Sequence, residues 1–377
     1  MNSDALKPKS VEELADHVKS QDRILAVGNQ TKPPLSRFEE CALVSLSALS
    51  GMIEYEPSEF TFTAWAGTKL SEIESELSLR GQYLPFDPVL SGVGATLGGT
   101  IASGLSGPGR FRYGGLRDFC IGIHWMDGKG RLIQGGGKVV KNAAGFDFPK
   151  FMVGSLGRYG ILVDVTFKVF PQPRDHLTWM VSCSDHRAAA ESMSTLAASR
   201  YEVDAIDYRP DLRQLAIRLA GPTEVLPQLL TEIRKQWSEG KQLSGEESSS
   251  YWQSVNAMDW SLFNDPVIVK VPLNLTSFLK IEKELSAKDS CRLHLSVAGN
   301  VAWISLSDVN DVAWLSNLLM QYQLPGLIVL GDIDQVSTGN EEASVSDRRY
   351  QIGAWPQSKM MQAVKHAMDP LAKFPGV

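Results

Sequence analysis

Cysteine is scarce in this chain. Cys41, Cys120, Cys183 and Cys291 are the only four in 377 residues, and no two form a C-x-x-C pair. That excludes an iron–sulfur cluster or zinc site built by this chain through the usual ligand spacings. Each thiol is expected to serve as a small buried hydrophobe. Histidine is almost as sparse: His17, His124, His176, His186, His294 and His366 show no H-x-x-x-H or similar spacing. Redox chemistry therefore calls for an organic cofactor or another subunit. Long apolar runs are missing as well; none reaches the roughly 18 residues that span a bilayer. The opening "MNSDALKPKSVEELADHVKS" has no apolar signal core, so a cytoplasmic protein is expected, peripheral to the inner membrane only through partners. Finally, there is no basic excess. A net charge of −6, a pI near 5.6 and scattered basic residues exclude a dedicated nucleic-acid binder.

What is present is the composition of an ordinary globular protein, 43% hydrophobic and 21% charged, long enough for two or three domains. "VEELADHVKS" has helical spacing, and "ILAV" (24–27) reads as a strand leading into the loop "GNQTKPPLS". "CALVSLSAL" and "GMIEYEP" read as short strands. "FTFTAWAGTKLSEIESELSLRG" gives a strand and then a helix, with Thr68 the expected N-cap and Gly81 past its end. "FCIGIHWMDGKGRLIQGG" is a hairpin around Asp127-Gly128. A short helix follows Asp147, its expected N-cap.

"PQPRD" (171–175) is the best domain boundary. Beyond it two rounds of β-α-β-β-α hydropathy repeat with a period of roughly 90 residues. Between the rounds, "SEGKQLSGEESSS" (238–250) reads as a mobile polar linker, and an amphipathic helix near 357–368 precedes a Pro-punctuated end. The expected division is 1–172, 173–345 and a helical tail, 346–377, returning to the first domain.

"DPVLSGVGATLGGTIASGLSGPG" places seven glycines between Gly92 and Gly109. Glycine costs conformational entropy, so the backbone must approach something closely. A Rossmann fingerprint fails because the third glycine is misplaced and two prolines occupy the strand that should precede it. A Walker loop fails because Gly-Lys-Ser/Thr is absent. Two readings stay open: a turn and short helix whose Gly98, Gly99, Ala102 and Ser103 let backbone approach a pyrophosphate, or small residues that allow close helix packing.

Three ordered blocks resemble the FAD-binding domain of the vanillyl-alcohol oxidase, or p-cresol methylhydroxylase (PCMH), superfamily. The first is "ILAVGNQTK", a strand and a G-x-x-[ST]-K turn in which Asn can tolerate positive φ. The second is "LPFDPVLSGVGATLGGTIASGLSGPGRFRYGGLRD", and the third "GGKVVKNAAGFDFPKFMVGSLGRYGILVDVTFKVFP". Together they cover about residues 10–173, and "KHAMDPLAKFPGV" faintly resembles the family's ending. The resemblance implies an α+β fold: a two-subdomain PCMH-type FAD-binding domain, then an α+β cap with an antiparallel sheet and helices on one face. It implies FAD as cofactor, held by Gly28, Asn29, Gln30, Thr31, Lys32, Pro88, Ala95, Thr96, Gly98, Gly99, Ala102, Ser103, Gly145, Gly160 and Ile161. Within the superfamily, length and wording are most similar to the FAD-binding (E) subunits of bacterial glycolate oxidases. That resemblance implies two partners, a larger FAD-linked oxidase subunit and an iron–sulfur subunit.

Catalytic relatives carry H-x-G-D-G-N-x-H in the cap. Aligning Gly299-Asn300 with the G-N of that motif puts Leu295 and Ala302 at the histidine positions and Ala298 at the aspartate, so no metal site is expected. His294 is then one residue off, on the opposite strand face, and expected to be an ordinary strand-edge histidine. Arg110, Arg112, Tyr113, Lys138 and Lys141 border the blocks as flavin-facing or plain surface residues. Covalent flavin attachment is not expected: the first turn has no histidine, and Cys120 lies in no attachment motif. No catalytic residue can be named. A stand-alone FAD oxidoreductase and a flavin-free scaffold are the other readings.

Overall fold

A computed structural model describes residues 5–36, 38, 41–137, 146–261, 263–264, 266–332, 350–356 and 359–376. The first helix, Val11–Ser20, buries Leu14 and Val18, and the Ser10 hydroxyl caps it by accepting the Glu13 amide at 3.2 Å. It leads into a parallel strand pair, Ile24–Val27 beside Ala42–Ser45. A five-stranded antiparallel sheet follows, in spatial order Met52–Glu56, Thr61–Trp65, Ile161–Lys168, Cys120–Met126 and Leu132–Gly136. The expected hairpin forms within it. Its turn is held by the buried Asp127 carboxylate, which accepts the Lys129 and Arg131 amides at 2.9 Å each.

One capping expectation is corrected. The helix Leu70–Ser78 has Lys69 at its N-cap with no side-chain bond. The Leu70 amide donates instead to the Ala95 carbonyl at 2.8 Å. The Thr68 hydroxyl is turned inward, donating to the Trp65 carbonyl at 2.7 Å and accepting the Gly51 amide at 2.9 Å. Tertiary contact overrides the local cap.

The second large element is a nine-stranded sheet of antiparallel pairs. Its two units contribute Asp175–Ser182, Ala205–Arg209 and Gln214–Gly221, then Val267–Pro272, Cys291–Ser296, Val301–Leu306 and Pro325–Leu330. They meet where Tyr208 pairs with Leu295. Period-two alternation sorts their side chains. Val267, Val269 and Val271 pack with Phe278, Ile281 and Leu285 under the helix layer, whereas Ile268 and Trp303 join the core of the first domain.

Two expectations about this half are corrected together. Part of the polar stretch 238–250 is structured: Gly240–Gln242 is a strand and Gly245–Ala257 a helix, started by a Ser244–Glu247 capping box. The helix also breaks the one-sided arrangement. Trp252 and Val255 pack on Met180, Ala205 and Ala216, the sheet face away from the other four helices. Two apolar residues three apart suffice to bury a helix whose remaining sequence is polar.

The two halves are joined by a buried arginine. Arg218 bonds Asp204 through Nε and Asp87 through Nη2, with its plane 4.7 Å from the Trp252 ring. Asp87 Oδ2 also accepts the Gly109 amide at 2.7 Å. Burial disfavours the Arg218 charge, but the two carboxylates outweigh it and raise the pKa. The C-terminal segment folds back on the start of the chain. The helix Lys359–Met368 precedes Asp369, whose carboxylate accepts the Lys373 and Phe374 amides at 2.9 Å each. The Ile24 amide donates to the Lys373 carbonyl at 2.7 Å, and Phe374 is buried.

Replacing Arg218 by Met keeps much of the apolar stem but strands two buried carboxylates. Urea denaturation of Arg218→Met is expected to show a loss of about 3–5 kcal/mol, the scale for breaking a buried pair from one side. A loss under about 1 kcal/mol would show that the arginine is not the clasp.

Candidate functional site

A cleft of about 770 Å³ opens beside the parallel strand pair. Twelve of the fifteen cofactor candidates line it: Gly28, Asn29, Gln30, Thr31, Lys32, Thr96, Gly98, Gly99, Ala102, Ser103, Gly160 and Ile161. Pro88 and Ala95 are buried behind it and do not line it. Gly145, with Lys138 and Lys141, lies outside the described residues. Ser155, Leu156 and Gly157 also line the cleft, although the sequence reading does not single them out. The glycine turn of the third block carries the signal, but spacing alone does not say which turn residues face inward.

The glycines divide between the two open readings. Those of the long stretch mostly meet protein. A Cβ on Gly98 would sit 2.7 Å from the Ala66 Cβ, on Gly104 3.1 Å from the Gly154 Cα, on Gly107 2.4 Å from the Asp87 carbonyl oxygen, and on Gly109 2.0 Å from the Pro85 carbonyl oxygen. The helix Leu97–Ser103 has no amide to spare at its start. Leu97 donates to the Thr68 carbonyl, Gly98 to the Ala66 carbonyl, Gly99 to Thr96 Oγ1 and Thr100 to the Thr96 carbonyl. The expected donors at this helix terminus are thus already used.

The free amides are in the first turn. Among the described residues, no acceptor takes the main-chain N–H groups of residues 29 to 32. Gln30, not Asn29, adopts the left-handed conformation, at φ +52°. Successive amides around a left-handed residue form a concave anion-binding nest. Asn29 acts through its side chain, whose amide donates to the Gly94 carbonyl at 2.8 Å and ties the turn to the glycine-rich loop. Gly28 is required by contact, since a Cβ there would lie 2.2 Å from Thr96 Oγ1.

Beside the nest stands Lys32, 6% exposed. Its ammonium donates to Thr31 Oγ1 at 3.3 Å, and no carboxylate among the described residues pairs with it. Burial alone lowers its pKa to about 8. Across the cleft, the buried Ser155 hydroxyl has no hydrogen-bond partner among the described residues. A diphosphate would answer the free amides and the unpaired ammonium together, so the residues fit FAD.

The cap residues fall differently from their expected places. Leu295 and Ala302 are buried in the core under the helices, so neither position could face a ligand beside the first domain. His294 lies on the other strand face, as expected, but its strand is interior, between Ala205–Arg209 and Val301–Leu306. Its Nε2 is 2.7 Å from Asp207 Oδ2, while Ser296 Oγ donates to Asp207 Oδ1 at 2.8 Å. One carboxylate serves both side chains, which is not the serine-to-histidine relay of a nucleophile. Arg112 turns to the cap, 3.0 Å from Glu202. Cys120 is buried, does not line the cleft, and burial pushes its thiol pKa far up, the opposite of a reactive thiolate. Lys270 carries no sequence signal, because it sits alone in an apolar strand. It is half-buried, its pKa is lowered to about 8 by desolvation and then by Arg110, and it reaches the Gly104 carbonyl at 3.4 Å, the end of the cleft's own helix.

Residues 5–136 match the family model described as FAD binding domain. The chain is similar to glycolate oxidase subunit GlcE of Escherichia coli (strain K12), 35% identical over 181 residues, 48% of this chain and 52% of that protein. It is also similar to glycolate oxidase subunit GlcD of Bacillus subtilis (strain 168), 27% identical over 188 residues, 49% of this chain and 40% of that one. The match thus spans about half the length of these relatives or less. A solved structure of alkyldihydroxyacetonephosphate synthase superposes on 97% of this chain and 75% of its own, with a TM-score of 0.69 at 15% identity, a likeness of fold. No helix among the described residues is long and apolar enough to cross a membrane.

A buried unpaired lysine destabilises the flavin-free fold wherever it is charged. Its folded pKa lies below the unfolded value of 10.5, so between about pH 8 and 10.5 the unfolded chain holds the extra proton and stability rises with pH. Lys32→Met is expected to stabilise the flavin-free protein by about 1–2 kcal/mol near pH 7 and to flatten that rise. The same variant should lose most of the thermal stabilisation given by added FAD. Thermal scans from pH 7 to 10, with and without FAD, check both; an unchanged FAD response would remove Lys32 from the site.

Proposed function

We propose that this chain is a non-covalent FAD-binding subunit of a 2-hydroxy-acid-oxidising complex of the glycolate oxidase type. It supports oxidation by a larger paralogous flavoprotein and passes electrons through an iron–sulfur partner. The observation that carries the cofactor assignment is the nest of amides at residues 29–32, which no acceptor among the described residues takes, beside the Lys32 ammonium, which no described carboxylate pairs. The twelve candidate residues that line the cleft are the assigned contacts. The similarity to subunits named for glycolate oxidase supports the reaction class and the shared assembly. Bound FAD supplies a two-electron acceptor; the chain's own residues position and shield it. Non-covalent binding is supported by the inert, distant Cys120 thiol and by the absence of histidine from the first turn.

Lys270 favours a second reading, in which the chain turns over a substrate itself. A half-buried cation at the end of the cleft helix is suited to a substrate carboxylate. The two readings separate on one preparation. The chain purified alone should carry or take up FAD, release it on acid denaturation, and fail to reduce a dye acceptor across a panel of 2-hydroxy acids. Dye reduction should appear when it is co-expressed with neighbouring subunits. Turnover by the isolated chain, lost in Lys270→Met, would establish the second reading. No flavin uptake at all would sink both.

A further inference from the structure

We propose that the second half of the chain carries a separate site for a small aromatic monocarboxylate. It lies in the cleft between the helix Gly245–Ala257 and the uncovered end of the nine-stranded sheet. This cleft measures about 1420 Å³ and shares no lining residue with the FAD cleft. Its walls combine rings from Tyr251, Trp260 and Phe263 with guanidinium groups from Arg209 and Arg292. Ligand sites are typically built this way, largely apolar and aromatic with a few placed polar groups.

The charges select the ligand. Arg209 is already committed: Nε and Nη2 donate to Asp211 at 3.0 and 2.7 Å, Nη1 donates to the Trp260 carbonyl at 3.0 Å, and its plane lies 5.3 Å from the Trp260 ring. Lys241 pairs with Glu247 at 3.3 Å. Arg292 is different. Its Nη1 donates to the carbonyls of Asp289 and Cys291 at 3.0 and 2.9 Å, and no carboxylate among the described residues pairs with it. Its Nε and Nη2 donors remain, in the fork geometry that suits a carboxylate. The guanidinium lies 5.1 Å from the Phe263 ring, so an anion on it sits next to an aromatic face. Among the described lining residues, three cations against two anions leave one positive charge, from Arg209, Lys241 and Arg292 less Asp211 and Glu247. A dianion such as phosphate would find no second unpaired cation, which selects a monoanion.

Arg292 thus supplies the carboxylate contact, and the rings of Tyr251, Trp260 and Phe263, which line the same cleft, can stack an aryl body.

Calorimetric titration of the full-length chain at pH 7 tests this, with phenylacetate as probe and phenylacetamide as its neutral counterpart. Phenylacetate is expected to bind one per chain, with or without FAD, and phenylacetamide about tenfold or more weaker. Arg292→Gln should weaken phenylacetate binding about tenfold or more, Arg292→Lys less, since it keeps charge without the fork. Lys32→Met should leave it unchanged. No saturable binding to the unmodified chain would overturn the proposal, as would equal affinity for the two probes. Loss of binding in Lys32→Met would place the probe in the FAD cleft and overturn it equally. The comparison of the two probes needs no variant, so misfolding of Arg292→Gln cannot shelter the idea.

Discussion

The contact between Asp87 and Arg218 is the constraint on which the rest of the architecture leans. Asp87 stands at the root of the glycine-rich stretch, in a left-handed conformation at φ +51°. One of its oxygens holds both the Gly109 amide and the arginine of the opposite half. The far end of the loop and the cap sheet are therefore positioned by one side chain. Burial raises the Asp87 pKa and Arg218 opposes that rise. Such a charge is tolerable only while its partner is in place. The loop cannot take its shape without the cap, nor can the cap dock without the loop.

That coupling explains the use of glycine. A loop drawn tight between two halves must pass under carbonyls and past neighbouring backbone; Gly107 and Gly109 meet such atoms at distances no side chain survives, and Gly104 combines a tight contact with a left-handed φ of +65°. The entropic cost of the glycines is spent on closeness between protein segments. Amides with no acceptor among the described residues lie instead in the modest turn at residues 29–32, where a left-handed glutamine and a buried lysine follow the single Gly28. The segment richest in the expected residue is the scaffold, and the poorer one holds the free donors.

Much of this was legible in the sequence, for identifiable reasons. Period-two and helical patterns placed the hairpin at Asp127-Gly128 and the two rounds of strands and helices, because burial on one face dictates them. Thr68 misled because a capping hydroxyl and an inward-turned hydroxyl look alike until Gly51 is known to be adjacent. The stretch 238–250 misled because Trp252 and Val255, the residues that bury the helix, lie just beyond its polar run. The pairing of His294 with Asp207 joins residues 87 apart, and no local pattern carries it. Lys32 and Lys270 show the same limit in another form. Their chemistry lies in partial or full loss of water with no carboxylate partner among the described residues, a property of the packed interior.

The return of the chain end onto Ile24 has a consequence for the order of assembly. The strand Ile24–Val27 leads into the turn at residues 29–32, and its first amide is held by the Lys373 carbonyl. Nearly the whole chain is translated between these two partners. A nascent chain that has exposed every block of the FAD-binding domain still lacks the segment that fastens the entrance strand. A chain damaged near Asp369 would therefore leave the start of this strand unfastened, at the opposite end of the sequence.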